Sequence, residues 1–325
     1  MQADDLRAQK RLEFALMLEE RGDLEAAVSL FEETLALAPD WDEAHFAFAN
    51  VLEKAGRAAE AIDHFTAYLR LAASDDMGAE VRLALLGGLP VPPTLPEAYV
   101  KTLFDQYATR FESALLGDLD YRAPFQLREA VERLRAAPVT GERILDLGCG
   151  TGLAGEVFRD RAAWLAGIDL SPGMIAEANR KTIYNELREG EIVVALIGGG
   201  AAYDLVIAAD VLVYIGDLAP LFRALKPALQ PDGLFAFSVQ QTDADDFELG
   251  AECRYSHSPA YLKRLARETG FEPLTLEATF CRREAGQKVP SLICVFRRMV
   301  DAVPSLLTPM AEPQDTPAPP RPELN

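Results

Sequence analysis

The sequence predicts two structural units, an all-α unit followed by an α/β unit with a mostly parallel sheet. Three observations support this prediction. Residues recur at a fixed spacing near the N-terminus, and a segment with four prolines and two glycines, GGLPVPPTLP at 87–96, then interrupts the chain. From Arg143 onward, short apolar runs alternate with helix-like segments. Alternating strands and helices are typical of a parallel sheet covered on both faces.

The N-terminal unit repeats itself. Three residue pairs lie 34 residues apart: Gly22 and Gly56, Ala27 and Ala61, and Phe31 and Phe65. This is the period of tetratricopeptide repeats, which are pairs of antiparallel helices. Residues 8–75 therefore resemble that family, although an unrelated pair of helical hairpins is the alternative. Because two repeats are fewer than the roughly three needed for stability, we expect a helix over 78–87 to cap them.

The proline-rich segment at 87–96 marks a boundary between units. After it, aromatic residues at 99, 104, 107 and 111 fall on one face of a predicted helix, and a second helix is expected over 124–137. We divide the chain into four parts: a helical repeat domain at 1–88, a linker with two helices at 89–138, an α/β domain at 139–300, and a proline-rich tail at 301–325 that we expect to be disordered.

Six apolar runs are candidates for strands of the α/β domain: RILDLG, WLAGIDL, YDLVIAADVLVY, GLFAFSVQ, FEPLTLEATF and PSLICVFRR. A further strand is expected in LREGEIVVA or in part of it, and Gly198–Gly200 is expected in a loop. This pattern predicts helices between most of the strands.

Composition excludes several classes of partner. The net charge of −19 and a sequence pI near 4.6 disfavour nucleic acids and anionic membranes. The start, MQADDLRAQKRLEF, is charged where a signal peptide is apolar, and no apolar run approaches about 18 residues. The cysteines at 149, 253, 281 and 294 lack metal-ligand spacing, which predicts free thiols and no metal site. We therefore expect a cytoplasmic protein.

The segment ILDLGCGTGL at 144–153 places three glycines on alternate positions after an apolar run. Such glycines allow a backbone to approach a ligand closely. Asp169, which ends the next apolar run, lies where an acid binds ribose hydroxyls. Asp146, beside the turn, would repel a pyrophosphate but suits a cationic amine. The pattern favours a ligand with a ribose and a positive charge, and the alternatives are a tight structural turn or a dinucleotide site.

With these motifs, the chain resembles the class I (Rossmann-fold) S-adenosylmethionine-dependent methyltransferases. Four segments carry the resemblance, which covers about 99–298: ILDLGCGTGL, GIDLSPGMIAEAN, YDLVIAADVLVYIGDL and LKPALQPDGLFAFS. Together with the repeats, the chain resembles a bacterial group of predicted tetratricopeptide-containing methyltransferases. The resemblance implies an α/β Rossmann-like sheet of seven strands, the last antiparallel, after an all-α repeat domain, with S-adenosyl-L-methionine as cofactor.

The resemblance also implies which residues bind the cofactor. In chain order they are Tyr107, Tyr121, Arg122, Asp146, Gly148, Cys149, Gly150, Asp169, Leu170, Met174, Glu191, Ala209 and Asp210. The glycine turn and Asp146 would meet the methionine end, Asp169 the ribose, and Leu170 and Met174 the adenine. Glu191 would accept from the adenine amino group, and the residues at 209–210 would line the sulfonium side. The residues at 107, 121 and 122 belong to a lid that would reach the cofactor carboxylate, unless they only pack a helix onto the sheet.

Residues for catalysis are fewer, because methyl transfer is a single in-line displacement that depends mainly on alignment. A base helps only where the acceptor must lose a proton. His257 lies in ECRYSHSPAYL, between Tyr255 and Tyr261, after the fifth strand and before a helix. We predict that His257 is a catalytic base, that both tyrosines bind the substrate, and that Tyr214 is a second catalytic candidate. The alternatives are a capping or surface residue for His257 and a core aromatic for Tyr214.

A small-molecule acceptor, methylated on oxygen, nitrogen or sulfur, is favoured because a lid helix implies a closed pocket. A protein or peptide docked on the repeats is an alternative, and the repeats are equally suited to self-association. A further alternative is a non-catalytic adaptor, which would have no chemical need for the glycine turn and Asp169.

Overall fold

The computed structural model describes residues 3–112, 120–134, 139–198, 202–284 and 286–300. These residues form an N-terminal helical region and a mixed sheet with helices on both faces. This confirms the two-part fold class. The tail at 301–325 and most of the Gly198–Gly200 loop lie outside the described residues, so both expectations stay predictions.

The helical region contains five helices: α1 (Ala3–Glu20), α2 (Leu24–Leu37), α3 (Asp42–Lys54), α4 (Ala58–Leu71) and α5 (Ala79–Leu85). Helices α1 and α2 pack as one pair, α3 and α4 as another, and α5 packs against α4. Gly22 and Gly56 have φ angles of +79° and +76° at the turns within the pairs, a conformation that favours glycine. Phe31 stacks on Phe48 with ring centroids 5.3 Å apart and joins the two pairs.

Two helices connect this region to the sheet, namely α6 (Glu97–Tyr107), continued by a 3₁₀ turn at Ala108–Arg110, and α7 (Ala123–Arg133). Helix α7 begins with a proline in its first turn, where the missing N–H costs nothing. Its buried Leu127 and Val131 pack on one face of the sheet. Residues 135–137 of the predicted second helix, and Pro138 after it, lie outside the described part of the chain.

The sheet domain alternates strands with helices. Its strands are β1 (Glu142–Leu147), β2 (Ala162–Asp169), β3 (Glu186–Glu189), β4 (Tyr203–Ala208), β5 (Leu229–Gln241), β6 (Phe247–Leu249), β7 (Tyr255–His257), β8 (Phe271–Glu284) and β9 (Gln287–Arg298). Its helices are α8 (Leu153–Phe158), α9 (Pro172–Arg180), α10 (Ile192–Leu196), α11 (Ala219–Ala228) and α12 (Pro259–Thr269).

The strands β3, β2, β1, β4 and β5 are parallel neighbours in that order, and β9 pairs antiparallel with both β5 and β8. The described residues therefore contain nine strands, where the resemblance implied seven. The two additional strands are β6 and β7, a hairpin of three-residue strands attached to the end of β5. The antiparallel direction of the last strand agrees with the resemblance.

The third strand takes up only the first part of the segment in which it was expected. Only Glu186–Glu189 forms the third strand, and the apolar run after it is helix α10. Glu191 caps this helix, because its Oε1 accepts from Val193 N at 2.9 Å and its Oε2 from Val194 N at 2.8 Å. An acid that satisfies the free amides of a first turn favours a helix over a strand.

The direction of winding reverses between β1 and β4, because β2 and β3 lie on one side of β1 and the later strands on the other. Ligands of such sheets bind outside the carboxyl ends of the strands at this switch point. The glycine turn follows β1 there. The four cysteines are free and buried, and none of the described helices combines the length and the apolar character needed to span a membrane.

Candidate functional site

A cavity of about 480 Å³ lies over the carboxyl ends of β1, β2 and β4. One wall is formed by the glycine turn, the end of β2, and the residues after β3 and β4. The opposite wall comes from the segment 94–97, from α6 and from the residues around it. Of the predicted site residues, ten line this cavity: Tyr121, Gly148, Cys149, Gly150, Asp169, Leu170, Glu191, Ala209, Asp210 and Tyr214.

The glycine turn brings bare backbone to the cavity. Gly148 and Gly150 have φ angles of +61° and +54°. A Cβ atom at Gly148 would lie 2.3 Å from Cγ2 of Val211, so only glycine fits there. Cys149 N donates to Ile168 O at 3.0 Å, which fixes the turn against β2. The turn thus combines a left-handed backbone with close packing against the segment after β4.

Asp169 is held in one orientation by backbone amides. Its Oδ2 accepts from Gly150 N at 2.8 Å and its Oδ1 from Ser171 N at 2.9 Å. Burial raises the pKa of Asp169, and these hydrogen bonds oppose the rise. Each carboxylate oxygen has two acceptor sites, so the group can also accept from a ligand in the cavity. Two neighbouring hydroxyl groups, as on a ribose, match this pair of oxygens.

Asp146 and Met174, two of the predicted cofactor residues, are buried beneath the cavity wall. Both are buried, and neither lines the cavity. Asp146 Oδ2 accepts from the Tyr184 hydroxyl at 2.7 Å, whereas its Oδ1 has no hydrogen-bond partner among the described residues. Burial raises the pKa of Asp146 to about 7. Asp146 is therefore held by Tyr184, and its predicted contact with the cofactor stays a prediction.

The adenine side of the predicted site is formed by Leu170, Glu191 and the neighbouring backbone. Both carboxylate oxygens of Glu191 already accept from the amides of α10. Its predicted hydrogen bond to adenine would have to share those oxygens.

At the end of β4, Asp210 forms an ion pair that the sequence did not indicate. Asp210 has a φ angle of +60°, and its N–H donates to Ser238 Oγ at 2.8 Å. Arg282 Nη1 donates to both carboxylate oxygens of Asp210, at 2.8 and 2.7 Å. The Arg282 side chain is only 2% exposed and lines the cavity. The only hint of this ion pair in the sequence is that Arg282 lies in TFCRRE, at the end of a predicted strand. A charged residue that such a strand buries normally has a partner of opposite charge.

The far end of the cavity is aromatic and carries a second arginine. The Phe104 ring lies 5.3 Å from the Tyr214 ring and 5.9 Å from the Phe111 ring. Burial raises the pKa of both Tyr214 and Tyr121, so these phenols stay protonated at neutral pH. Arg254, just before β7, also lines this end. None of the residues at 104, 111 and 254 was predicted as part of the site.

The three residues of this loop that were predicted to act on the substrate, Tyr255, His257 and Tyr261, do not line the cavity. His257 is fully buried, and its Nε2 lies 3.0 Å from Gly216 O. The Tyr255 hydroxyl donates to Pro92 O, and the Tyr261 hydroxyl donates to Asp217 Oδ1 at 3.1 Å. The cause is the pairing of β7 with β5, which turns alternate residues of β7 into the core. Burial lowers the pKa of His257 to about 4, so this imidazole is neutral at pH 7.

Of the three predicted lid residues, only Tyr121 lines the cavity. Its hydroxyl donates to Ala209 O at 3.4 Å. Tyr107 is 48% exposed, on the outer side of α6. The Arg122 guanidinium donates to Asp120 at 2.9 and 3.0 Å and does not line the cavity. Phe104 of α6 and Phe111, which follows the 3₁₀ turn, thus cover the site instead of Tyr107 and Arg122.

Comparison with known proteins agrees with this geometry. The family described as "Methyltransferase domain" matches residues 119–276. A ubiquinone biosynthesis O-methyltransferase from Thiobacillus denitrificans is 31% identical over 170 residues, which cover 46% of this chain and 71% of that protein. A malonyl-acyl-carrier-protein O-methyltransferase from Serratia marcescens is 30% identical over 129 residues, which cover 39% of this chain and 50% of that protein.

Other curated relatives are matched over as little as 44% of their length. Among solved structures, the cyclase SpnF superimposes with a TM-score of 0.53 at 18% identity, over 64% of this chain and 99% of that one. This likeness shows that the two proteins share the fold of the sheet domain.

Proposed function

This chain belongs to the class I, Rossmann-fold S-adenosylmethionine-dependent methyltransferases, and from that premise we propose that it methylates an oxygen atom of a small molecule. One observation carries the choice of a small acceptor. A single cavity joins the predicted cofactor residues to an aromatic end that α6 covers. The relatives named above are O-methyltransferases, which supports oxygen as the acceptor atom.

The residues present fit S-adenosyl-L-methionine. Gly148 leaves space that a Cβ atom would fill, and Asp169 presents a fixed carboxylate to the cavity. Asp169 would accept from the ribose hydroxyls, the turn at 148–150 would lie along the methionine part, and Asp210 would lie near the sulfonium. When bound, the cofactor supplies an electrophilic methyl group on a positively charged sulfur.

The protein's own contribution is alignment and the exclusion of water. The rings of Phe104, Phe111 and Tyr214 form an apolar wall opposite the glycine turn. Among the described residues that line the cavity there is no histidine or lysine. Alignment of two reactants can supply about 7–11 kcal/mol of the barrier reduction. A cavity of this kind therefore suits methyl transfer to an acceptor that needs little help in losing a proton.

We further propose that the helical region consists of two tetratricopeptide repeats capped by α5, and that it binds a protein partner or a second copy of the chain. The matched 34-residue spacing, together with full burial of both Ala27 and Ala61, supports this assignment. A cytoplasmic location is also proposed, supported by four free, buried cysteines.

The test is calorimetry with S-adenosylmethionine and S-adenosylhomocysteine, followed by a screen of acceptor pools with a methyl-labelled donor. We expect micromolar binding of both nucleosides and label transfer to a small molecule. Absence of nucleoside binding would contradict the proposed function. Label appearing only on added proteins or peptides would contradict the small-molecule acceptor.

A further inference from the structure

The cavity contains a buried guanidinium whose hydrogen bonds are incomplete. Arg282 Nη1 donates to Asp210, but Arg282 Nη2 has no hydrogen-bond partner among the described residues and is itself buried. The nearest acid on its other side is Glu284, with Oε2 at 3.7 Å, beyond hydrogen-bond distance. Buried side-chain donors in native proteins are normally satisfied, so an exception beside a cavity is a candidate contact for a polar group of a ligand.

A second guanidinium lines the same end of the cavity. Arg254 Nη1 donates to both oxygens of Glu284 at 3.2 Å, and its side chain is 27% exposed. Tyr214 also lines this end, and the nearby positive charge of Arg254 opposes the rise that burial causes in the pKa of its phenol. Two arginines therefore meet around Glu284 at the aromatic end. Guanidinium groups with free donors bind planar anions, above all carboxylates.

The rest of this end is apolar. It is formed by Leu95, Val100, Phe104, Val211 and Ile215. The two other acids on the wall outside the predicted cofactor site, Glu80 and Glu97, are exposed to solvent. A ligand that satisfies these surroundings has an apolar body and one anionic group directed at the arginines.

We propose that the acceptor is a carboxylic acid with an apolar body, that Arg282 and Arg254 bind its carboxylate, and that a carboxylate oxygen is the atom methylated. This deepens the proposed function and rests on it. The oxygen attacks the methyl carbon, and a C–O bond forms as the C–S bond breaks. The electron pair of the broken bond stays on sulfur, so the products are a methyl ester and S-adenosylhomocysteine. No proton is transferred, because a carboxylate is already ionised at neutral pH.

The first experiment measures binding without turnover. The full-length protein is saturated with S-adenosylhomocysteine and titrated by calorimetry with hydrocinnamate and octanoate, and with the matched neutral alcohols. We expect at least one acid to bind about tenfold or more tightly than its alcohol. Arg282→Gln and Arg254→Gln should each weaken that acid about tenfold or more, since a hydrogen bond to a charged group is lost.

Arg283→Gln is the matched control. Arg283 is the next residue of β8, and its side chain contacts Asp120 and Gly286 O instead of the cavity. This variant should bind the acid like the unmodified protein. Arg254→Gln keeps the test informative if Arg282→Gln does not fold, because Arg254 is hydrogen-bonded to Glu284 and not to Asp210.

Three results would overturn the proposal. One is equal binding of acid and alcohol, another is failure of both acids to bind, and the third is a matching loss of S-adenosylhomocysteine affinity in the arginine variants. The last result would assign the arginines to the carboxylate of the cofactor.

The second experiment identifies the product. Labelled methyl groups transferred to the acid should be released as methanol by mild base, as expected for an ester. Transfer to neutral alcohols or phenols alone would overturn this inference and leave the proposed function standing. Failure of the unmodified protein to bind S-adenosylhomocysteine would remove the proposed function itself.

Discussion

The two ends of the cavity are built in different ways. The predicted cofactor end is centred on residues that lie close together in the chain, from Gly148 to Asp169, where backbone amides donate to the Asp169 carboxylate. The acceptor end gathers side chains from α5, α6, the segment after β4, and the strand β8. A ligand shared by a whole family can be held by a short backbone motif, whereas an acceptor that differs between members is enclosed by distant side chains.

Charge also differs between the two ends. At the cofactor end, the Asp169 carboxylate is held by backbone amides. At the acceptor end, the guanidinium groups of Arg254 and Arg282 are held by acidic side chains. Asp210 is shared by the two ends. Changes away from Asp210 should affect one end and leave the other largely intact, and the following variants test that separation.

Removal of residues 1–88 should produce the largest difference between the effects on cofactor binding and on methyl transfer. Val81 of α5 is fully buried in a cluster with Leu95, Cys253 and Tyr255, and Glu80 lines the cavity. We expect the fragment 89–325 to bind S-adenosylhomocysteine with nearly unchanged affinity but to methylate its acceptor about 10²-fold more slowly, because a displacement of about 1 Å can cost that much.

Calorimetry and a labelled-methyl assay measure the two quantities, with the fragment 78–325, which keeps α5, as control. Full turnover by 89–325 would show that α5 plays no part in the acceptor end. An insoluble 89–325 beside a soluble 78–325 would place the domain boundary before α5.

Asp169→Ala should weaken cofactor binding tenfold or more. The variant removes a charged acceptor from two ribose hydroxyls, and each such hydrogen bond contributes about 1.5–3 kcal/mol. Titration with S-adenosylhomocysteine measures the change. Glu189→Ala is the control, since Glu189 ends β3 but its carboxylate pairs with Lys101 at 2.7 Å on the surface. Equal affinities of the two variants would refute the ribose assignment.

Gly148→Ala should lower the free energy of unfolding more than Gly141→Ala. Both glycines have positive φ angles, +61° and +85°, so each alanine costs about 1–2 kcal/mol of backbone strain. At Gly148 the Cβ atom would meet Val211, at 2.3 Å, whereas at Gly141 no atom of the described residues lies within 4 Å. Overpacking adds about 1–3 kcal/mol. Denaturant titration of both variants checks this, and equal losses would mean that Val211 moves aside freely.

His257→Gln should have the smallest effect on turnover, within about twofold at neutral pH. A catalytic base would instead lose about 10²–10⁴-fold, so a labelled-methyl assay decides between the sequence-based prediction and the buried position.

The pH dependence of stability provides a second measurement on the same variant. The folded pKa of His257, about 4, lies below the unfolded value of about 6.5. The unfolded chain therefore binds a proton first, and this group lowers stability by up to about 3 kcal/mol as pH falls from about 6.5 to 4. The Gln variant should lose less stability on acidification. Part of the pH dependence of stability should remain in the Gln variant, because the pKa of His64 is also lowered to about 4.

The sequence by itself determined the glycine turns, the alternation of strands and helices, and the position of Asp169. The glycines at 22, 56, 148 and 150 occupy left-handed turns, because only glycine adopts that conformation freely. The alternation of apolar runs determined the mixed sheet with helices on both faces, and the end of the second run placed Asp169 on the cavity wall. Each of these follows from backbone geometry over a few residues.

Tertiary structure alone decided which side chains form the acceptor end of the cavity. Pairing of β7 with β5 turned Tyr255 and His257 into the core, and the position of β8 brought Arg282 to Asp210, 72 residues away in the chain. Burial then lowered the pKa of His257 and raised the pKa values of Tyr121 and Tyr214. The physical reason is that orientation and solvent exposure are products of long-range packing, which residue type and spacing do not specify.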